Sequence, residues 1–531
     1  QVVRLEHVAF AGLLHLASLG PRQPRSAAMR VGVITHGTRG DTQPFIAVAQ
    51  QLRGRGHEVA ICCPASCTQL VQEHGLEAYG MRFDAKKLVQ GERMQRAMAT
   101  GDGNECLVAF FESVSAQKAA GADSEEEASA FVAAYRPDIV LCHVSMKTAP
   151  IIAERHGLPV LLVMFMPYLP SRVALPAFKT SAQLAVEGLL DDPLEANRQM
   201  LAAFHDTDLA EFNALRERWG LCPHASLADL HAAVQAIPVA NCWSEAVVPE
   251  PADLTVEFPL SRQTGYLFAE LPPGYTPPAD LLRFLEAPGQ ERPVYIGFGS
   301  LSAGDPRVVT ETVLRALVLA GGRRCVMVGG WSGIGPEHLD PELTPDYHEL
   351  KRFADERVLK VDAVPHGWLL PLCAAAVHHG GAGTTAATVR AGLPTAIAPF
   401  AWDQPWWAEQ LETLGTGIAL PTMITQLSAE ALGAAIRRLT EDNEMAASAA
   451  ALGARVRGER CGAERLVEFA EDTLAAPFAW ATSRRPEPTP PPPALWDRPV
   501  AALTVSPDAP LGKLLEPVAG AGAAQPCLAG A

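Results

Sequence analysis

The chain of 531 residues has no apolar run of the roughly 18 to 20 residues that a membrane-spanning helix needs. Residues 8–19 are apolar but too few, and His15 interrupts them. Positive charge is also short. There are 43 Lys and Arg against 59 Asp and Glu, a formal charge of -16, which argues against nucleic acid as a general partner. The 11 cysteines are sparse and irregularly spaced, with no C-x-x-C pair, so a disulfide framework is not expected. Cys62, Cys63 and Cys67 fall close together and read as buried reduced thiols in a reducing compartment. H-E-x-x-H is missing, and so is any internal period of 20 to 50 residues, which excludes a repeat architecture.

What is present suits a globular chain of two or more domains, with 48% hydrophobic residues. Residues 30–35 read as a strand, 44–53 as a helix and 57–62 as a second strand, a unit that makes the two strands parallel. Residues 138–142 and 159–164 are further strands, joined by a helix over 148–156. Residues 170–235 have a helical pattern, where a pocket could form or helices simply pack. Residues 250–290, rich in proline at first, read as a linker. A second α/β pattern follows, with strands at 293–298, 324–328, 358–361, 374–377 and 395–399. Residues 427–440 and 444–457 read as closing helices. Residues 486–493 are mostly proline and cannot form helix or central strand. Residues 1–28 carry Arg4, Arg22 and Arg25 against one acid, Glu6. They read as the remnant of a targeting segment or as translated sequence ahead of Met29, and both readings stay open.

The most informative stretch is His378-His379-Gly380-Gly381-Ala382-Gly383-Thr384-Thr385. It stands between an apolar strand and a helix expected over 386–391. Glycines at a strand-to-helix turn let backbone N–H groups approach an anion, and the helix dipole adds roughly half a positive charge. No lysine follows, so this is not a P-loop, and the spacing is not G-x-G-x-x-G. Asp403 and Gln404 follow the next strand. Two loops therefore arise from consecutive strand ends, where open α/β sheets bind ligands.

Residues 364–407 resemble the donor-site signature of GT-B nucleotide-sugar glycosyltransferases, and most of all that of the sterol 3-beta-glucosyltransferases and antibiotic-type glycosyltransferases. Gly37-Thr38-Arg39-Gly40-Asp41-Thr42-Gln43-Pro44 resembles the amino-terminal signature of the same group. Val294-Tyr295-Ile296-Gly297-Phe298-Gly299-Ser300-Leu301 resembles the first strand and loop of its donor domain. The resemblance covers roughly residues 29–475. It implies an α/β fold of two Rossmann-like domains facing across a cleft. The expected divisions are an extension (1–28), an acceptor domain (29–249), a linker (250–290), a donor domain (291–480) and a disordered tail (481–531). In the family the last helix crosses back to the first domain, a part that residues 463–475 could take here.

The resemblance also assigns roles. His379, the amides of Gly381, Ala382, Gly383 and Thr384, and Ser300 would hold the donor diphosphate. His378 reads better as a core histidine. Asp403 and Gln404 would hold the sugar, and Val364 and Trp368 the uracil. Gly367 departs from the sterol pattern, which often has an acid there. The general base is either Asp41, which the motif favours, or His36. Asp41 could also N-cap a helix beginning at Thr42, with Arg39 as its ion-pair partner. The activity implied is transfer of glucose from UDP-glucose to the 3-beta-hydroxyl of a sterol or similar lipid alcohol, with inversion. No cofactor or metal is expected. Alternatives are a macrolide- or glycolipid-type transferase with another hydrophobic acceptor, a UDP-sugar 2-epimerase, or a noncatalytic nucleotide-sugar-binding protein. The expected location is the cytoplasm, with peripheral contact to membranes. Oligomeric state is not legible.

Overall fold

Burial on both faces turns the apolar runs into strands of parallel sheets. In the computed structural model, residues 28–475 are described, apart from 101–102, 168, 177–178 and 300–304. The first sheet contains β1 (Arg30–Ile34), β2 (Glu58–Pro64), β3 (Glu77–Met81), β4 (Ile139–His143), β5 (Val160–Met164), β6 (Val239–Asn241) and β7 (Ser261–Gln263). Its order is β3-β2-β1-β4-β5-β6-β7. The second contains β8 (Val294–Gly297), β9 (Cys325–Val328), β10 (Val358–Val361), β11 (Ala375–His378), β12 (Thr395–Ile397) and β13 (Gly417–Ala419), in the order β10-β9-β8-β11-β12-β13. All pairings are parallel. Every residue of β4 and β5 is buried, as a strand covered on both faces requires.

Each sheet reverses its strand order once, between β1 and β4 in the first and between β8 and β11 in the second. Crevices outside the carboxyl ends of strands open at such points. The register sets Ile34 beside Cys142, so the loops after β1 and β4 leave the sheet side by side. His378 lies beside Gly297, which does the same for the loops after β8 and β11.

The connections between the sheets differ from the sequence reading. The expected linker 250–290 carries structure at both ends. It supplies β7 to the first sheet, while its helix Ala279–Leu285 buries Leu281 in a cluster with Tyr295 and Val326 of the second. No element was expected between 63 and 137, yet the helices Ala85–Gln90, Glu92–Thr100 and Gly103–Ala119 stand there. Leu88, Met94 and Ala109 from these helices share a cluster with Met423 and Ile424 of the second half. The helix Gly462–Ala475 returns to the first sheet. It packs on the helix Arg39–Gly54, burying Leu466, Val467 and Phe469 beside Ile46 and Leu161. Cys62, Cys63 and Cys67 are free and buried.

Candidate active site

A cavity of about 1750 Å³ runs between the two halves. That exceeds the roughly 300–1,000 Å³ of an ordinary small-molecule site. Its walls bring together the loops after β1, β4, β11 and β12 and the helices of residues 85–119 and 193–235.

Asp41 does not begin its helix. The helix Arg39–Gly54 starts three residues earlier than expected, with Thr38 as N-cap. Asp41 closes a capping box from inside the first turn, where its Oδ2 accepts the Thr38 N–H at 2.6 Å. Gly37, at φ 117°, makes room for that carboxylate, because a Cβ there would collide with Asp41 Oδ2. The partner expected for Asp41 was Arg39. Instead Arg39 Nε donates to Gln43 Oε1 at 2.9 Å, and the side chain facing Asp41 Oδ1 is His143 Nδ1 at 3.6 Å.

His143 escaped the sequence reading, which ended its strand at 142. Its signal was positional, since β4 neighbours β1 at the reversal. Its ring is held by a relay: Ser145 Oγ donates to the His36 carbonyl at 2.5 Å and meets His143 Nδ1 at 2.5 Å. The Ser145 backbone N–H also donates to Nδ1, at 3.3 Å, so the serine holds this edge of the ring, beside Asp41, through two of its atoms. Burial pushes His143 down to about 3 and His36 down to about 4, the latter helped by His143. Both rings are neutral at pH 7. His36 lines the cavity with its ring centroid 4.0 Å from that of Phe83. Burial pushes Asp41 the other way, up to about 6, against the opposing pull of the Thr38 hydrogen bonds. A carboxylate so raised is ionised at neutral pH and is a stronger proton acceptor than an ordinary aspartate.

Across the cavity, the helix after β11 is Ala382–Ala391, four residues longer at its start than expected, with Gly381 as N-cap. Its first-turn N–H groups, from Ala382, Gly383 and Thr384, have no partner within the helix and lie at the cavity wall. His379 is nearly buried and is pushed down to about 4 by burial, so it too is neutral. Its Nδ1 is buried without a partner. Gly299 and Gly381 sandwich the ring. A Cβ on Gly299 would lie 2.6 Å from His379 Cε1, and one on Gly381 2.5 Å from Nε2. His378 is fully buried, and its Nδ1 accepts the Gly380 N–H at 2.9 Å, so it shapes the turn from behind. Ser300 lies outside the described residues.

Asp403 and Gln404 both line the cavity. Asp403 Oδ2 accepts Trp407 Nε1–H at 2.7 Å. Burial, with a smaller push from the Asp41 charge opposite, raises its carboxyl to about 6. Gln404 Oε1 accepts the Phe400 N–H at 2.8 Å, which leaves its amide N–H groups for a ligand. Val364 lines the cavity, but Trp368 does not. It packs edge-on to Tyr275, 6.3 Å between centroids, in the Val364 cluster. The tryptophans that do reach the cavity from this half are Trp331, after β9, and Trp402, after β12. Much of the remaining cavity wall is apolar, with Phe83, Leu88, Phe110, Phe165, Met166, Phe212 and Val234.

Comparison with known proteins agrees with this geometry. The model of the glycosyltransferase family 28 N-terminal domain matches residues 31–175. That of the erythromycin biosynthesis protein CIII-like C-terminal domain matches residues 343–471. A sterol 3-beta-glucosyltransferase of Arabidopsis thaliana is 31% identical over 415 residues, 77% of this chain and 62% of that protein. One of Neurospora crassa is 31% identical over 443 residues, 82% of this chain and 26% of that protein. The chain thus spans about three fifths of the plant relative's length and a quarter of the fungal one's. Among solved structures, the glycotransferase of kitacinnamycin superposes with a TM-score of 0.56 at 21% identity, covering 85% of this chain and 100% of its own. The spinosyn rhamnosyltransferase superposes with a TM-score of 0.53 at 21% identity, covering 84% and 100%.

Proposed function

The chain belongs to the GT-B glycosyltransferases, and from that premise we propose that it moves glucose from UDP-glucose to the 3-beta-hydroxyl of a sterol or similar lipid alcohol, inverting the anomeric centre. The observation that carries this reading is one continuous cavity. It joins a helix N-terminus suited to an anion, a carboxylate of raised pKa and apolar walls around about 1750 Å³, room for a lipid-sized acceptor. The relatives named as sterol 3-beta-glucosyltransferases support the choice of acceptor.

In this reading the diphosphate rests on the N-terminus of the helix Ala382–Ala391 and on His379, with the uracil beside Val364. Asp403 accepts from sugar hydroxyls and the Gln404 amide donates to them. The acceptor hydroxyl attacks C1 from the side of the first half. The new O–C1 bond forms as the bond from C1 to the β-phosphate oxygen breaks. The hydroxyl proton passes to Asp41, and the electron pair leaves with UDP. Asp41 is the better base than His36, because at about 6 its affinity for a proton lies nearer neutral pH than that of a histidine pushed to about 4. Protein donors meet the leaving group's charge, so turnover should survive EDTA.

Among the described residues no helix is long and apolar enough to cross a membrane. Exposed Val173, Val186 and Leu190, in the helical segment that helps wall the acceptor half, suit peripheral access to a lipid acceptor. The test is UDP release from UDP-glucose with and without a panel of sterols and other lipid alcohols, with the product identified by mass spectrometry. A glycosylated sterol supports the proposal. A product only with macrolide- or glycolipid-type acceptors would move the chain to the second reading, which its structural neighbours favour. UDP release or sugar isomerisation without acceptor would point to an epimerase, and binding without turnover to a noncatalytic protein.

A further inference from the structure

The cavity is short of full positive charge where the leaving group needs it. His379 is neutral, and the helix N-terminus supplies only dipoles. Most cations lining the cavity are already engaged. Lys147 pairs with Glu211 at 2.8 Å, Lys179 with Glu187 at 2.5 Å and Arg216 with Glu154 at 2.6 Å. Arg390 stacks on Phe268 with its guanidinium 4.3 Å from the ring centroid, and Arg457 caps the Arg390 carbonyl at 2.5 Å.

Arg39 is different. It opens the helix Arg39–Gly54, two residues before Asp41, and lines the same cavity as Tyr295, Gly299, His379 and Thr384 of the other half. It is half-buried, and Nε donates to the side-chain Oε1 of Gln43 at 2.9 Å. Among the described residues no carboxylate lies within 4.0 Å of it, and Glu73, on the same cavity wall, attracts it only at longer range. Its charge is felt across the cavity by Tyr295 and His366, which are joined by a 2.9 Å hydrogen bond. A planar guanidinium with four N–H groups uncommitted suits a phosphate, which it can bind in bidentate fashion.

We infer that Arg39 reaches from the first half across the cavity to the β-phosphate of the nucleoside diphosphate and neutralises the charge that develops there as the sugar leaves. The inference rests on the proposed reading of the cavity as a UDP-sugar site. It makes the loop after β1 bifunctional. Asp41 receives the acceptor proton and Arg39 meets the electron pair that departs on the diphosphate, so one turn serves both ends of the breaking and forming bonds. It also ties the two halves together only when a diphosphate is present.

Calorimetric titration with uridine, UMP and UDP tests this on the full chain, for the wild type, Arg39→Ala, Arg39→Gln and Arg39→Lys. In Arg39→Ala the preference for UDP over UMP should fall at least about tenfold, while uridine binding stays within about twofold. Turnover of UDP-glucose should drop by about 10²-fold or more, in the range seen when one donor to developing charge is removed. Arg39→Lys should recover part of both. Arg39→Gln keeps a polar stem that can still reach Gln43, and it should behave like Arg39→Ala if charge is what matters. An unchanged UDP preference in folded Arg39→Ala and Arg39→Gln overturns the inference and leaves the site reading intact. A wild type that does not prefer UDP over UMP and uridine overturns both.

Discussion

The two halves of the cavity use the same device, a reversal of strand order, and furnish it differently. The first half presents ionisable side chains from two strand ends: Arg39 and Asp41 after β1, His143 closing β4. The second presents backbone N–H groups, two glycines pressed on a neutral histidine, and one loop with a carboxylate and a carboxamide. In the proposed reading one half moves a proton, and the other holds an anion and a sugar in place. The distinction follows from what each task needs. Dipoles aimed at an anion have to come from one local turn, so their residues are adjacent in sequence. A proton acceptor is tuned by its surroundings, which come from anywhere in the fold.

Asp41→Asn is the change that separates the halves most sharply. It keeps the capping bond to Thr38 but removes the proton acceptor. Turnover should fall by roughly 10²-fold or more. UDP-glucose affinity, measured by calorimetry, should hold. The wild-type rate should decline as pH falls through about 6, where Asp41 takes up a proton, and that limb should be lost in the variant. Stability should move the opposite way. A carboxyl raised above its ordinary 3.8 destabilises the fold fully above pH 6, and the penalty fades as pH falls towards 3.8. Asp41→Asn should therefore match or exceed the wild-type melting temperature at pH 8 and lose that margin in acid. If Asp41→Asn keeps near-native turnover and His36→Ala abolishes it, histidine is the base and the two halves divide the work otherwise.

The adjacent histidines test the second half. His379→Ala should cut turnover at least about tenfold with little change in folding. His378→Ala should act on folding instead. It strands the buried Gly380 N–H, a loss of about 1–3 kcal/mol, readable as a lower denaturation midpoint. Equal catalytic losses in two well-folded variants would break the assignment.

A smaller effect is expected at the sugar loop. Asp403→Ala should raise the KM for UDP-glucose several-fold while UDP affinity stays put. Gln404→Ala should do the same and also lower stability, because the Phe400 N–H loses its acceptor. Loss of UDP binding in either would make the loop a scaffold for the whole nucleotide.

This division also explains what could be read from the chain unaided. The strand-to-helix turn at the cavity was legible because His379 to Thr384 are contiguous, and strand period and glycine placement fix such a turn locally. The parallel sheets were legible for the same reason. The return of the helix Gly462–Ala475 to the first sheet was anticipated from the resemblance alone. Trp368 shows the limit. It stands in a loop of the right type, but packing against Tyr275 holds it out of the cavity, and only the fold reveals that. The helices of residues 85–119 were invisible because their apolar residues are buried against the other half. His143 and Arg39 are separated from their partners by a whole strand crossover or by the cavity itself, a relation that no spacing encodes.

His143 therefore supplies the finest test of the comparison, because it acts only through a neighbour. Its Nδ1 lies 3.6 Å from Asp41 Oδ1 while Ser145 fixes the ring from behind. A neutral polar ring beside a buried carboxylate favours its ionised form weakly, so replacing that ring with a methyl group should raise the pH at which Asp41 loses its charge. His143→Ala should lower turnover only about three- to tenfold at pH 7, and less at pH 8. The diagnostic is the acid limb of the rate profile, which should move above its wild-type position near pH 6. His143→Asn retains an N–H donor on a shorter stem and should move the limb back part of the way. A merely structural histidine would lower the rate equally at every pH and leave the limb in place. That outcome would return Asp41 to acting alone and would make the proton-moving half as local in sequence as the anion-holding one.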